Sequence, residues 1–324
     1  MDRKLKRAQE NSFGFISFFF VIVLLVILAY GIYVLYLNLP GEPQQLDVIL
    51  QNQPENKEVF ADAKQFYPNM KFNHNVITYF IDVSCTDAES SRMKKAFEEV
   101  HIKVPRISFQ EIQQKADIFI TCAQSKEDIN KDYFIAGEGG AKEIIDTEQY
   151  HVIVEGVIYL YDNEKKSLDC AYPNIEVHEL LHVLGFDHVD DKNSIMYPFL
   201  DSCDQQLEDS IVDELDRLYT IENLPDLYFS DAQVIKKGRY LDFNVSIKNS
   251  GLIAVTDATL TIADEDTILD TYDLEDITFG GGIVMNTQNF KLKERNPKKI
   301  SFIIDKENKI KEIDEKNNII EIKL

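Results

Sequence analysis

The chain has 324 residues, of which 44% are hydrophobic and 28% are charged, and its formal net charge is -22. This length exceeds the usual span of one hydrophobic core, so we expect two folded domains, and the ordinary hydrophobic content excludes a wholly disordered chain. Acidic residues outnumber basic residues 56 to 34, which argues against a nucleic-acid partner, because such a partner requires clustered Lys and Arg.

The N-terminus differs in charge from the rest of the chain and precedes a long apolar segment. Residues 13–37 contain no charged side chain and exceed the roughly 20 apolar residues that cross a bilayer. A removable signal peptide would have a shorter apolar stretch and a small-x-small cleavage site, and that pattern is missing before Pro40. We therefore predict a transmembrane helix at residues 13–37 that stays in the protein.

Charge also predicts how this helix is oriented. The first ten residues carry four basic and two acidic side chains, a local charge of +2, which leaves -24 for the rest of the chain. Positive residues favour the cytoplasmic side of a membrane helix. Residues 1–12 are therefore predicted to be a basic cytoplasmic tail of a single-pass cell-membrane protein, and everything after about residue 38 is expected to lie outside.

Between the membrane helix and the first domain, residues 38–64 hold three Pro and little apolar periodicity, and we predict a stalk. Residues 65–222 are then expected to form an α+β domain. Gly137 to Gly140 are read as a flexible loop in it. The segments with strand composition are residues 76–83, 107–112, 116–122 and 151–161, and the segments with helical periodicity are residues 87–101, 174–185 and 204–221.

The pattern changes after Pro225, which disfavours continuation of the preceding helix. Leu241, Phe243, Val245 and Ile247 alternate with polar residues, which is the period of two of a half-buried strand. Several such segments with short turns between them predict an antiparallel β-sandwich at residues 226–324 without a helix.

The chemistry of the chain is concentrated in one segment, HELLHVLGFDH, which holds half of the six His residues. His178 and His182 are four residues apart, so on a helix both project from one face and can bind one zinc ion. Gly185 suits a left-handed turn that ends the helix, after which His188 can return as a third ligand. Three neutral nitrogen ligands leave one position for water, which is typical of a catalytic zinc site.

Glu179 follows the first His and completes the predicted catalytic group. Zinc lowers the pKa of its bound water towards about 7 and polarises a substrate carbonyl. From the adjoining edge of the helix, the Glu179 carboxylate can take the proton of that water as general base and return it to the leaving amine. Peptide hydrolysis is the reaction that this arrangement predicts.

The same segment matches the HExxHxxGxxH zinc signature of the metzincin proteases, and SIMYP at 194–198 resembles the Met-turn of their matrixin-like branch. The resemblance implies a mixed sheet upstream of the zinc helix, one catalytic Zn2+ and endopeptidase activity on protein or peptide substrates. It also implies that Met196 forms an apolar floor beneath the metal. Tyr197 and Pro198 would border the pocket for the substrate residue that follows the scissile bond.

The chain departs from the family at several points. The astacin-like and serralysin-like branches have a Tyr near the zinc at the position of Pro198, so that Tyr is missing here. The inhibitory cysteine segment of the matrixins is missing as well, because the first Cys is Cys85. An edge strand beside the zinc helix can bind substrate as an added strand. Residues 151–161 are one candidate for that edge, and an ordinary buried strand is the equal alternative.

All four cysteines lie in the predicted external part, where disulfides persist. Four cysteines allow three pairings, among which the sequence alone does not choose. We favour Cys85 with Cys122 and Cys170 with Cys203, because the second pair brackets the zinc segment.

The last hundred residues open with PDLYFSDAQV and end with a hairpin that includes DEKNN. This pattern resembles CARDB, a β-sandwich module associated with cell-surface proteins of bacteria and archaea, and it implies a surface partner. The leading hypothesis is a membrane-anchored zinc endopeptidase. Two alternatives are a cell-surface adhesion or binding protein that uses the sandwich, and a metzincin-like domain that binds partners without hydrolysis. The presence of Glu179 and all three His residues favours catalysis.

Overall fold

A computed structural model describes residues 2–50, 63–124, 135–162, 170–200, 202–265 and 267–323, with side chains described from residue 17 to residue 322 of those ranges. Helix α1 spans Asp2–Asn38. Its segment Ser17–Asn38 has a mean hydropathy of 2.9 and is long and apolar enough to cross a membrane. None of that segment is buried by the rest of the chain. The predicted transmembrane residues 13–37 lie within α1.

The first domain is built on a mixed sheet, as the family resemblance implies. The chain order is β2 (Met70–Phe72), β3 (Val76–Ile81), α2 (Asp87–Lys103), β4 (Ser108–Glu111), β5 (Ile118–Gln124), β6 (Gly137–Asp146), β7 (His151–Asp162), α3 (Asn174–Val183) and α4 (Asp209–Thr220). Strands β2 and β5 pair in parallel with β7, β3 pairs in parallel with β5, and β4 pairs in parallel with β3. Strand β6 runs antiparallel along the other side of β7.

Two of the expectations for this sheet are wrong. The glycine-rich residues predicted as a flexible loop form the start of strand β6. Strand β7, the candidate for the edge, is paired on both sides, whereas β6 is paired only with β7 among the described residues. The alternative of an ordinary buried strand is therefore correct for residues 151–161, and the edge strand beside α3 is β6.

The helices follow their predicted positions with shifted ends. Helix α2 begins at a capping box in which Thr86 and Glu89 satisfy each other's backbone N–H groups, and its buried face includes Met93 and Phe97. Helix α4 begins at Asp209, five residues after its predicted start. The residues before it are irregular, and the side chains of Gln205 and Glu208 among them hydrogen-bond to the loop that contains Met196.

The second domain is the predicted β-sandwich. Its strands are β1 (Pro43–Leu46), β8 (Leu227–Lys237), β9 (Tyr240–Asn249), β10 (Thr259–Asp264), β11 (Thr267–Asp273), β12 (Gly282–Lys291), β13 (Lys299–Ile304) and β14 (Ile319–Lys323). They form two four-stranded sheets with the strand orders β1-β8-β9-β12 and β11-β10-β13-β14, and the described part of residues 227–323 contains no helix.

Strand β1 comes from the segment predicted as a stalk. It pairs antiparallel with β8, from Pro43 opposite Lys237 to Leu46 opposite Val234, and Leu46 is buried in the sandwich core. At this point the predicted stalk is thus an edge strand of the C-terminal domain. The chain therefore contributes one strand to the C-terminal sandwich before it enters the first domain.

Candidate metal centre and active-site cleft

Helix α3 lies against the mixed sheet with almost every side chain buried. Its first turn is fixed by an ion pair in which Arg92 of α2 donates to the buried Glu176 at 2.9 Å. The helix also packs closely on β6. A Cβ atom on Gly137 would lie 2.7 Å from Cγ of Glu179, and one on Gly139 would overlap the carbonyl oxygen of that residue. The glycines in β6 therefore allow the strand to approach the zinc helix.

The three predicted metal ligands meet at one point. The distances between Nε2 atoms are 3.1 Å for His178 and His182, 3.1 Å for His182 and His188, and 3.2 Å for His178 and His188. His178 and His182 are buried, and His188 is more open to solvent. Among the described residues this is the one group of three or more His, Cys, Asp or Glu side chains that could hold a metal.

Hydrogen bonds at the other ring nitrogens orient two of these side chains. The Nδ1 atom of His178 lies 2.6 Å from the carbonyl oxygen of Ile195, and Nδ1 of His182 lies 2.7 Å from that of Phe186. A carbonyl oxygen only accepts, so both Nδ1 atoms carry the proton and both Nε2 atoms have a free lone pair. Burial lowers the pKa of His178 to about 3 and also lowers that of His182, so both rings are neutral.

This donor set fits zinc. A tetrahedral ion with bonds of about 2.0–2.1 Å to imidazole nitrogen requires ligand atoms about 3.3–3.4 Å apart, and the three Nε2 atoms are 3.1–3.2 Å apart. Three nitrogens from neutral imidazoles are a ligand set of catalytic zinc sites, which keep a fourth position for water. His178, His182 and His188 would hold the ion.

The loop that carries His188 begins where α3 ends. Gly185 has a φ of 101°, a left-handed conformation that glycine adopts without strain. The loop is then held by the segment that enters the domain. The N–H of Phe66 donates to Gly185 at 2.9 Å, the N–H of Asp187 donates to Lys64 at 2.8 Å, and the Lys64 ammonium lies 2.6 Å from the Asp187 carboxylate. We call residues 64–66 the entry segment.

The segment predicted as the Met-turn is connected to the three His residues by hydrogen bonds. Met196 is 1% exposed in the core of the domain, and its role as an apolar floor beneath a metal stays a prediction. The carboxylate of Glu208 accepts from the Ser194 hydroxyl and from the N–H of Ile195. Since Ile195 also accepts from His178, Glu208 is connected through one residue to a metal ligand.

Gln205 makes the second set of contacts with this loop. Its amide group donates to the carbonyl oxygens of Lys192 and Phe199, both at 3.1 Å. Neither Gln205 nor Glu208 was predicted as a site residue, because their signal in the sequence is that of an ordinary polar segment before a helix.

The side chain of Glu179, which belongs to α3, lies against β6 and leaves 6% of the residue's surface exposed. Burial raises the pKa of its carboxyl group to about 8, and the backbone N–H of Gly139 donates to the carboxylate and opposes that rise. The predicted general base is therefore held at the boundary between the zinc helix and the edge strand.

One aromatic side chain lies beside the three His residues. The ring of Phe66 is 5.7 Å from the ring of His182 and is 44% exposed. Tyr197, which follows Met196, is half-buried, and its ring lies 5.8 Å from that of the exposed Phe199. Pro198 is exposed. The assignment of Tyr197 and Pro198 to a substrate pocket stays a prediction, and Phe66 is an additional aromatic neighbour that the sequence did not indicate.

The cysteines pair as favoured, with S–S bonds between Cys85 and Cys122 and between Cys170 and Cys203. The second bond joins the start of α3 to the segment that follows the Met-turn. It therefore closes a loop around the whole metal centre.

Comparison with known proteins divides the chain into the same two parts. Residues 71–220 match the family model described as matrixin, and residues 224–321 match the family model described as CARDB. A search of curated proteins gives no match. One similar solved structure is the CARDB domain of a protein from Pyrococcus furiosus in complex with di-metal ions. It is 18% identical, covers 31% of this chain and 88% of that chain, and has a TM-score of 0.26.

Proposed function

We propose that this protein, whose residues 71–220 form a matrixin-family domain and whose residues 224–321 form a CARDB domain, is a membrane-anchored zinc endopeptidase that cleaves proteins or peptides outside the cell. The observation that carries the proposal is the convergence of three imidazole nitrogens on the helix and loop that also carry a buried glutamate. In this proposal the transmembrane anchor is residues 13–37, which lie within α1, and the basic N-terminal tail favours an N-terminus in the cytoplasm and a catalytic domain outside.

The residues have distinct roles in the proposed reaction. Zinc held by His178, His182 and His188 supplies Lewis acidity for the scissile carbonyl and lowers the pKa of water. Glu179 accepts a proton from the attacking water and transfers it to the amine of the leaving product. The Gly139 N–H keeps the Glu179 carboxylate oriented for both transfers.

Strand β6 provides the substrate-binding element of this proposal. Its outer edge is unpaired among the described residues, and its first residues contact Glu179. An extended peptide can add to such an edge through backbone hydrogen bonds, which would bring its scissile bond close to Glu179. Tyr197 and Pro198 remain our candidates for the pocket beyond that bond.

The proposal is tested on the full chain in detergent with an unstructured protein substrate and metal analysis. We expect one zinc per chain and hydrolysis that Glu179→Gln reduces by about 10²- to 10⁴-fold, the range for loss of a general base, while zinc is retained. Glu155→Gln is the control, because Glu155 pairs with Lys142 at 2.5 Å on the face of the sheet opposite α3, since the neighbouring Gly156 is the residue that packs on Val183 of α3. Hydrolysis by Glu179→Gln at the wild-type rate would refute the mechanism.

A second measurement separates catalysis from binding alone. A metzincin-like domain that only binds partners would hold zinc in both the wild type and Glu179→Gln, and neither would cleave any member of a broad peptide library. We expect the wild type to cleave a defined subset of such a library.

A further inference from the structure

We propose that the C-terminal sandwich, and not the catalytic domain, is the module that faces the membrane, and that the length of its strands holds the active site away from the bilayer. The substrates would then be protein segments that extend beyond the membrane surface. The inference rests on the membrane anchor of the proposed function.

The end of the membrane helix is bound directly to the sandwich. The Arg295 guanidinium donates to the carbonyl oxygens of Tyr36 and Leu39 at 2.7 and 2.8 Å and lies 4.5 Å from the centre of the Tyr36 ring. The Tyr240 hydroxyl donates to the carbonyl oxygen of Asn38 at 3.1 Å. These contacts satisfy carbonyl groups that a helix leaves unpaired at its C-terminus, and the positive charge of Arg295 complements the helix dipole.

The chain continues from the helix into the sandwich without a free linker. Strand β1 begins at Pro43, five residues after α1 ends at Asn38. Between them, Gly41 packs on the turn between β8 and β9, where a Cβ atom would lie 2.9 Å from the backbone nitrogen of Gly238. The anchor is thereby fixed to the end of the sandwich that contains Lys237, the partner of Pro43 in the sheet.

The catalytic domain is attached at the opposite end of the sandwich. There the hydroxyl of Thr147, in the β6–β7 hairpin, donates to Ser250 at 2.9 Å. The amide of Asn73 donates to Leu252 at 2.9 Å, and Leu252 is buried in one apolar cluster with Tyr150 and Val152 of the catalytic domain. Both ends of the sandwich are therefore occupied, one by the anchor and one by the hairpin that includes the edge strand.

The length of strand β8 gives the separation between these two ends. It runs from Leu227, beside the catalytic domain, to Lys237, beside the anchor, and its 11 residues correspond to about 33 Å. The order in space is therefore anchor, sandwich, catalytic domain, whereas the order in the sequence is anchor, catalytic domain, sandwich.

Charge supports the same orientation. The two connections around the helix end, residues 236–239 and 291–299, carry eight basic side chains and one acidic side chain, although the external part of the chain is strongly acidic. Asp264 and Glu265 lie at the same end of the sandwich, and Asp242 and Glu321 pair with Lys237 and Lys299, so these four acidic side chains offset part of the positive charge. The remaining positive charge complements the anionic headgroups of a bilayer.

The first test measures orientation and does not require catalysis. All four cysteines are in disulfides, so a single engineered thiol can be labelled selectively. We would place a fluorescent donor at Glu294→Cys, in the connection beside Arg295, or at Asp162→Cys, at the far end of β7. The full chain is reconstituted in phosphatidylcholine–phosphatidylglycerol vesicles that contain an acceptor lipid.

We expect strong energy transfer from the label at residue 294 and weak transfer from the label at residue 162. Equal transfer from both sites, or stronger transfer from residue 162, would overturn the proposal. The double variant Arg239→Ala/Arg295→Ala, which removes contacts with the helix end, should reduce the difference between the two labels. Lys298→Ala removes a charge from the same connection and should leave the difference intact.

The second test measures how far from the membrane a peptide must extend before the active site cleaves it. A cleavable peptide is attached to a separate membrane helix through Gly/Ser spacers of increasing length. A spacer of fewer than about ten residues cannot extend 33 Å, and the average span of a flexible spacer reaches that distance at about 36 residues. We expect cleavage to rise at least about tenfold between these lengths. Fastest cleavage with the shortest spacer would overturn the proposal.

The same peptide free in solution separates the two proposals. If the free peptide is cleaved and the tethered peptide is cleaved fastest with the shortest spacer, the membrane-facing sandwich is rejected and the protease function stands. If neither free nor tethered peptide is cleaved, the protease function fails, and the energy-transfer experiment decides the orientation alone.

Discussion

The catalytic centre and the sandwich are stabilised in different ways. Between Cys170 and Glu208 the backbone is largely irregular, and individual contacts fix it: a disulfide, the Arg92–Glu176 ion pair and side chains that hydrogen-bond to loop carbonyls. In the sandwich, strands with alternating buried residues pair over long stretches. A substitution in the first region should therefore change the metal site, whereas one in the second should change only global stability.

The largest expected effect tests the sandwich. Phe302 in the middle of β13 is fully buried, and its ring lies 5.1 Å from that of Phe243 in the other sheet. Phe302→Ala should lower the free energy of unfolding by about 3–5 kcal/mol, because it removes a large apolar side chain and leaves a cavity. Urea denaturation followed by hydrogen exchange of β9 and β13 would measure this loss.

Val284→Ala is the matched control, since Val284 is 67% exposed in the same domain. We expect its effect to be within about 0.5 kcal/mol. A loss below about 1 kcal/mol for Phe302→Ala would contradict a tightly packed core. A loss of zinc affinity in that variant would contradict the division between the two regions.

The two disulfides sharpen the comparison within the catalytic domain. They close loops of similar length, with sequence separations of 33 and 37 residues, so replacing either pair with Ser should cost about 3–4 kcal/mol of stability by the loop-entropy estimate. Cys170→Ser/Cys203→Ser should also weaken zinc binding, because that bond encloses the Met-turn. Cys85→Ser/Cys122→Ser should not. Equal zinc affinities in the two double variants would refute a special role for the bond around the metal centre.

Metal removal should distinguish the two domains directly. Zinc at about 100 times its dissociation constant stabilises the form that binds it by about 2.7 kcal/mol. A chelator should therefore increase hydrogen exchange in α3 and the Met-turn and leave β9 and β12 unchanged. His178→Ala, which removes one ligand, should make the protein insensitive to the chelator. An equal response of both domains in the wild type would mean that they unfold as one unit.

The sequence was informative where a pattern is local. The spacing of His178 and His182 and the position of Gly185 follow from helix geometry alone, and the alternation of Leu241, Phe243 and Val245 follows from the period of a strand. In each case the residues that carry the pattern are neighbours along the chain, so the pattern is complete within a short segment.

The sequence misled where a partner distant in the chain decides the structure. Gly137–Gly140 have a loop composition, yet they form a strand because β7 pairs with them and α3 leaves no room for a side chain at Gly137 or Gly139. Pro43–Leu46 have no strand pattern, yet they complete a sheet edge of the sandwich. The order of the domains in space likewise depends on Arg295, which contacts the helix end from the other end of the chain.

The entry segment is another such case, and it leads to the prediction with the smallest effect. The ion pair between Lys64 and Asp187 has side-chain exposures of 56% and 26%, and it holds the residue next to His188. Lys64→Ala should lower stability by less than about 1 kcal/mol, as is usual for an exposed ion pair. It should nevertheless speed the loss of zinc to a competing chelator. The increase would reach about fivefold if the whole free energy of the ion pair stabilises the metal-bound state.

The comparison with a second ion pair isolates this effect. Lys142 and Glu155 lie in the same domain with side-chain exposures of 59% and 29%, so Lys142→Ala removes an equally exposed contact that does not involve the metal loop. We expect the same small change in stability and no change in the rate of zinc loss. If both variants release zinc at the wild-type rate, the backbone pairing of residues 64–66 with the metal loop is sufficient, and the ion pair adds nothing to it.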